Sequence, residues 1–547
     1  MPRLKPLVIA ALASLPLLVA GCGGGGSGGA AGTASSNSSP NVLQAATTQV
    51  SSGVITGFGS VYVDGVRFDD NDASSVVEQA DGSTRPVALE IGQRVRASHD
   101  GAGKATRLVV DAAVIGAVAT VDAVAGTLQV AGQVVLVNAD AAAGPITQFG
   151  GDGVDASTRY SGIADIQAGD LAEVHGSPVL SDGRWVVRAT RIDKRAAIGA
   201  VRVSGVVANL VNTDAAKTFQ IGGLTVDFAV AFATGKVKPI ERLADGIAVQ
   251  VHGSAAGVVG TTLSAAAVRI GADRDNLPVA SRVQLGGLVS GRNLAAGTFQ
   301  LDGALVRIGN VTPEPSGAVI NDGAWVKVAG ALAEDGAIDA AQITVRQANS
   351  ATDLARVKLV GPVTALVDQN TFIVRDVPVD ATNVLAASRS GCAQLADGTQ
   401  VSVSAVMQAD TDVVLADELK CETPAAGRPV AGHAGGAIAA IDLTARSLTV
   451  SDPAGQSRTI RWTDSTVFAG QALAAGATSL QTGMLVQAEG MMDGSALVAK
   501  VIGIHGARPS DRFRERPPQA LNQVPDRDEA VASWTDYQNR RRLPPRR

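Results

Sequence analysis

The chain has 547 residues, too many for one ordinary core, so several domains are expected. Its 62 glycines and only 3% aromatic residues point to many short strands joined by tight turns around small aliphatic cores, rather than to long helices. Ten arginines against six carboxylates from Ala507 onward, with Arg3 and Lys5 at the start, leave about −11 on the middle of a chain whose net charge is −5, and a body so acidic repels phosphate backbones, which argues against nucleic acid as a partner.

Arg3 and Lys5 precede an apolar stretch, Leu7 to Val19, that is too short to span a bilayer but has the length of a signal-peptide core. It ends in Leu18-Val19-Ala20-Gly21-Cys22, which resembles the lipobox of bacterial lipoproteins. That resemblance implies cleavage after residue 21, acylation of Cys22 and a membrane partner reached through the lipid; Gly23 rather than Asp after the cysteine implies the outer membrane. Two or three acyl chains hold stably because each buried CH2 contributes about 0.8 kcal/mol. The Gly, Ser, Ala and Asn that follow cannot bury enough apolar surface to fold, so 22–52 is expected to be a flexible tether.

Six segments then share one pattern, and its first part is a hairpin. Val61-Tyr62-Val63-Asp64-Gly65-Val66-Arg67-Phe68 alternates apolar and polar residues on both sides of Asp-Gly, a strong two-residue hairpin signal. Related strands recur at Leu128–Val134, Phe219–Val226 and Phe299–Leu305, and more loosely at Phe372–Val374 and Leu448–Val450. The second part is Leu or Ile, two residues, a glycine, then alternating small apolar positions. It appears with Gly92, Gly169, Gly246, Gly323, Gly398 and Gly483, where a turn needs a positive φ before the next strand. Most units close on a last strand after another glycine, as in Trp185–Ile192 or Ile338–Ile343.

Five or six short strands without a covering helix are most economically closed on themselves. The fold class is therefore all-β: tandem small OB-like barrels on a flexible tether, with a disordered C-terminal tail. The units are 53–112, 113–196, 197–275, 282–348, 355–424 and 432–506, between a signal peptide at 1–21 and a tail at 507–547. Packed sheet pairs are the alternative. The opening Ile55-Thr56-Gly57-Phe58-Gly59-Ser60-Val61-Tyr62-Val63-Asp64-Gly65 resembles the signature of a bacterial domain of unknown function that occurs in tandem on lipoproteins; later units keep the hairpin and the glycine turn but lose Gly-Phe-Gly-Ser. The resemblance implies an envelope location and repeated β-domains, and it brings no active residues.

Few residues carry a chemical signal. Cys392 and Cys421 form an even pair, and in the oxidising space beyond the inner membrane they are expected to form a disulfide. His175 and His252 follow the same strand in two units, where the fourth unit has Ala329 and the sixth Glu489; a position that accepts Ala and Glu reads as an exposed strand end rather than a ligand. Asp152 and Asp155, in a lone Gly-Gly-x-Gly-x-Asp, and Asp70 and Asp72, after the first hairpin, are weak calcium candidates that read better as solvated turns. Trp185, Trp325 and Trp462 fall one per unit at or near strand positions and suit core filling as well as binding. No nucleophile elbow, zinc-protease helix or phosphate loop is present, and no catalytic residue, cofactor or metal is assigned.

The Arg- and Pro-rich tail reads as a solvated segment, or as one that touches anionic headgroups or an acidic partner. Together these features predict a non-enzymatic lipoprotein of the outer membrane, binding or scaffolding an envelope polymer or protein through a row of repeated surfaces. An envelope-polymer hydrolase and a calcium-stabilised adhesive stalk are the alternatives.

Overall fold

The computed structural model describes residues 49–504 except 71–72, 79–82, 142–143, 152–157, 182, 256–257, 271–276, 278, 302, 346–355, 376, 393, 409–412, 422–430, 452–456, 470–472, 474 and 494. The signal segment, Cys22, the tether up to residue 48, Asp72, Asp152, Asp155 and the basic tail lie outside these residues.

The described chain is nearly all β and is built on small five-stranded barrels, merged into larger sheets in the earlier units and closed by itself in unit 6. Unit 6 shows the plan most simply. Ala431–Asp442, Ser447–Ser451 and Ser457–Ala469 form an antiparallel meander; Leu485–Asp493 returns to the first strand, and Ala496–Ile504 fills the gap between the third and fourth. The third and fifth strands run parallel (Ile460 opposite Leu497) and the first and fourth antiparallel (Gly436 opposite Val486). The order 1-2-3-5-4-1 is that of an OB-type barrel. The same pairing recurs in unit 2 (Val114 opposite Val174, Val135 opposite Val187), unit 4 (Val283 opposite Gly330, Val306 opposite Ile338) and unit 5 (Val357 opposite Ala405, Val379 opposite Val414). Unit 3 splits its first strand at Val207 into Ala200–Val206 and Ala208–Asn212, and unit 1 links its third and fifth strands by a single bridge, Asp69 to Lys104.

The glycine of the repeated turn closes every barrel. Gly92, Gly169, Gly246, Gly323, Gly398 and Gly483 all have φ between +83° and +94°, a region that penalises any residue with a Cβ. Each donates its N–H to the first strand, to Ile55, Val118, Val207, Val289, Val363 and Ile438 respectively, at 2.7–3.0 Å. The N–H of that same first-strand residue then bonds the carbonyl just after the glycine. The Asp that precedes this glycine in three units adds a staple, since Asp245, Asp322 and Asp397 accept the N–H of Leu210, Arg292 and Leu366 at 2.7–2.9 Å.

Alternation sends Val, Ile, Leu and Phe inward. Units 1, 4 and 6 each have their own apolar core, that of unit 5 also takes in Ile91 of unit 1 and Ile146 of unit 2, and units 2 and 3 share one, because their first strands pair antiparallel (Val114 opposite Val203). The expected row of domains is replaced by a cluster joined through unit 1. Its first strand, Gln49–Phe58, pairs parallel with the first strand of unit 4 (Val50 opposite Val283) and with that of unit 5 (Gly57 opposite Lys358). Val54, Val179, Val186, Leu288 and Trp325, from units 1, 2 and 4, form an apolar cluster between barrels. Burying side chains of this size contributes about 1.5–3 kcal/mol each.

Candidate functional site

The most elaborate arrangement of polar side chains in the described residues is a buried junction between unit 1 and the sheet that units 2 and 3 share. Along that sheet Glu173, Ile115, Arg202, His252 and Ala267 stand opposite one another on successive strands. Their neighbours Val174, Val114, Val203, Val251 and Val268 belong to the shared core, so strand alternation places Arg202 and His252 on the other face. That face is covered, not solvated.

Unit 1 covers it with Glu78 and Asp111. Arg202 donates through Nη2 to the Glu78 carbonyl at 2.5 Å and lies 3.4 Å from the Asp111 carboxylate through Nη1, while Arg269 pairs with the Glu78 carboxylate at 2.7 Å. Gln250 donates through Nε2 to Asp111 at 2.8 Å. A carboxylate only accepts, so the Gln250 amide oxygen faces the other way and accepts a hydrogen bond from the His252 Nε2–H at 3.0 Å. Burial opposes ionisation of Asp111, yet Arg96 and Arg202 outweigh it and hold its carboxyl below the ordinary range. Burial, with Arg202 and Arg269 beside it, drives the His252 imidazole down to about 2, so the ring is neutral. Arg94, Asp111, Ser204 and Gln250 edge a cavity of about 40 Å³ at this junction.

A second seam joins units 1 and 2. Arg94 donates to Ser177 Oγ at 2.6 Å, Thr190 donates to the Gly92 carbonyl at 2.6 Å, and Arg191 reaches the Ile91 carbonyl at 3.1 Å and the Glu90 carboxylate. Unit 6 reaches unit 1 through Lys500, whose Nζ lies 2.5 Å from the Asp70 carboxylate, and unit 5 through Glu489, 3.1 Å from Arg375.

These positions correct one sequence expectation. His175 and His252 are 0% and 1% exposed, not strand ends in solvent, because other barrels lie over the sheet faces that carry them. His175 Nε2 sits 3.1 Å from Glu173, whose carboxyl is held well below its ordinary range despite burial by Arg195 and His175. The two histidines do not converge, and among the described residues no group of three or more His, Cys, Asp and Glu side chains could hold a metal ion. Asp70, weighed as a calcium ligand, is the anion partner of Lys500. Cys392 and Cys421 are disulfide-bonded, with Cα atoms 5.1 Å apart. Trp462 fills the unit 6 core edge-on to Phe468, Trp325 lies in the cluster between barrels, and Trp185 is half-buried.

Sequence reasoning missed Glu78, Asp111, Arg202, Gln250 and Arg269. Each stands in an alternating strand or beside one, where a polar residue reads as a solvated face. A wide cleft of about 330 Å³ in unit 2 is lined in part by Asp170, Lys194 and Arg195, but Lys194 is paired with Asp170 at 3.3 Å and Arg195 with Glu173 at 3.0 Å.

Among solved structures the chain resembles silver-bound CusF (18% identity over 14% of this chain and 100% of that one, TM-score 0.11) and apo-CusF residues 6–88 from Escherichia coli (20%, 16% and 99%, TM-score 0.13). It also resembles the Drosophila Unr CSD456 segment (14% identity, 42% of this chain and 98% of that one, TM-score 0.12). No curated protein matches the chain. Residues 115–193, 360–420 and 435–503 match the family model described as a domain of unknown function, DUF5666. These are units 2, 5 and 6, not unit 1, whose opening carried the family resemblance in the sequence. Three separate segments of the chain thus match that family model, and they fall on units that share one strand pairing.

Proposed function

We propose that this is a non-enzymatic lipoprotein of the cell envelope, held to the outer membrane by acyl chains on Cys22, whose clustered barrels act as a scaffold for an envelope polymer or protein. One observation supports the scaffold reading: the first strand of unit 1 is laddered to two other barrels while Glu78 and Asp111 of the same unit pair with the sheet of units 2 and 3, so the units hold fixed relative positions. Several surfaces held at fixed spacing suit binding to a repetitive partner, where avidity multiplies weak contacts. The Cys392–Cys421 bond supports an oxidising compartment, and the lipobox supports the anchor.

Radiolabelled palmitate in cells expressing the chain and its Cys22→Ala variant tests the anchor. Label on the wild type alone, in the outer-membrane fraction, is expected; equal labelling of both, or none, overturns it. Crosslinking in intact cells tests the scaffold, and recovery of the chain without any envelope component overturns that part.

A further inference from the structure

We propose that the junction around His252 is an acid-sensitive joint, which loosens unit 1 from the sheet of units 2 and 3 as pH falls below about 6.5. The geometry has three parts. His252 is 1% exposed, and its ring donates to Gln250, whose other end is committed to Asp111 of unit 1. Arg202 stands directly opposite it on one neighbouring strand, and Arg269, opposite Gln250, comes from the other. Unit 1 contributes Glu78 and Asp111 as anions and Arg94 and Arg96 as cations, so the carboxylates within the junction are already matched by guanidinium groups. Along the same sheet, Glu173 is engaged by Arg195 and His175. A proton on His252 has no uncommitted anion to meet. It adds a cation between two arginines on a ring only 1% exposed, and separation of unit 1 is the movement that hydrates that ring.

The sign follows from linkage. The folded ring titrates at about 2, whereas an opened, hydrated histidine titrates at about 6.5. Between those values the open form binds the proton that the closed form refuses, so acid favours opening, by about tenfold per pH unit. Asp111 is held below the ordinary carboxylate range, so it stays ionised through the window in which the histidine acts. His99 lies elsewhere in unit 1, bonded to Ser51, and also titrates below its ordinary value through burial, so it adds to acid sensitivity without touching this junction.

Hydrogen exchange on the full chain, corrected for the intrinsic pH dependence, tests the proposal. Between pH 7.5 and 5.0 the opening equilibrium of Ser74–Glu78 and Ala248–Ser254 should rise about 30-fold, while Leu485–Ile504 of unit 6 changes little. His252→Gln keeps a donor for Gln250 and cannot be protonated, so it should abolish most of that rise. An equal rise in wild type and variant, or an equal rise in unit 6, overturns the proposal. Should the variant misfold, the imidazole of wild-type His252 decides: no titration between pH 7 and 5 by NMR supports the joint, and a midpoint near 6.5 in the folded protein overturns it.

Discussion

At the scale of single residues, two glycines of unit 1 show how a local signature can encode a distant contact. Gly57 and Gly59 belong to the Gly-Phe-Gly-Ser opening that the later units lack. A Cβ on Gly57 would overlap the Lys358 carbonyl oxygen, and one on Gly59 would overlap Val360; both partners lie on the first strand of unit 5. The motif is confined to unit 1 because only that unit's first strand carries unit 5 at this place. Gly57→Ala should therefore break the ladder between units 1 and 5 and destabilise the chain by about 1–3 kcal/mol, as forced overpacking does. Gly199→Ala, where nothing stands within 4 Å of the new atom, should change stability by less than about 0.5 kcal/mol. Chemical denaturation of the two variants checks the contrast, and equal effects would remove the packing explanation for the motif.

The strands and turns of a unit were legible because their determinants are local. Asp64 and Gly65 both take positive φ in the hairpin turn, as the spacing of Asp-Gly requires, and the recurrent glycine sits six times at the same closure bond. The disulfide also acts within one unit, tying the segment after Arg389–Ser390 to the end of the last strand of unit 5, Val414–Cys421. Its two cysteines stand 29 residues apart, and closing a loop of that length removes about 3–4 kcal/mol of chain entropy from the unfolded state. Cys392→Ser should lower the denaturation midpoint of unit 5 accordingly and leave unit 6, whose core is separate, at its own midpoint. A probe in each barrel, Phe372 replaced by Trp in unit 5 and the native Trp462 in unit 6, separates the two transitions. What the sequence hid was the far side of each strand. Val201-Arg202-Val203-Ser204 and Val249-Gln250-Val251-His252 alternate as half-solvated strands do, and nothing in a two-residue period says whether the polar face meets water or another barrel.

Across the whole molecule, the distribution of ladders predicts which parts stand alone. Unit 6 closes its own barrel, keeps a separate core of Ala434, Ile438, Leu448, Val450, Ile460, Trp462 and their neighbours, and meets unit 1 through Lys500 on Asp70 and unit 5 through Arg375–Glu489 and the approach of its first strand to Arg356–Leu366. Partly exposed pairs of this kind contribute at most about 1 kcal/mol each, and every side chain of this core comes from unit 6 itself, so the unit keeps its core without the others. Units 1 to 4 are coupled differently. Removal of residues 49–112 would strip Asp111 and Glu78 from Arg202 and Arg269, and would leave Val179, Val186, Leu288 and Trp325 without Val54. With unit 1 gone, water reaches these cations, and the loss falls on the strand ladders and the buried apolar side chains that the removed unit completed. A chain lacking 49–112 should thus melt well below the parent and expose apolar surface to a dye, whereas 431–504 expressed alone should unfold in one cooperative transition. If instead the shortened chain kept the parent's melting temperature, the barrels would be independent beads, and a scaffold of fixed spacing could not be built from them.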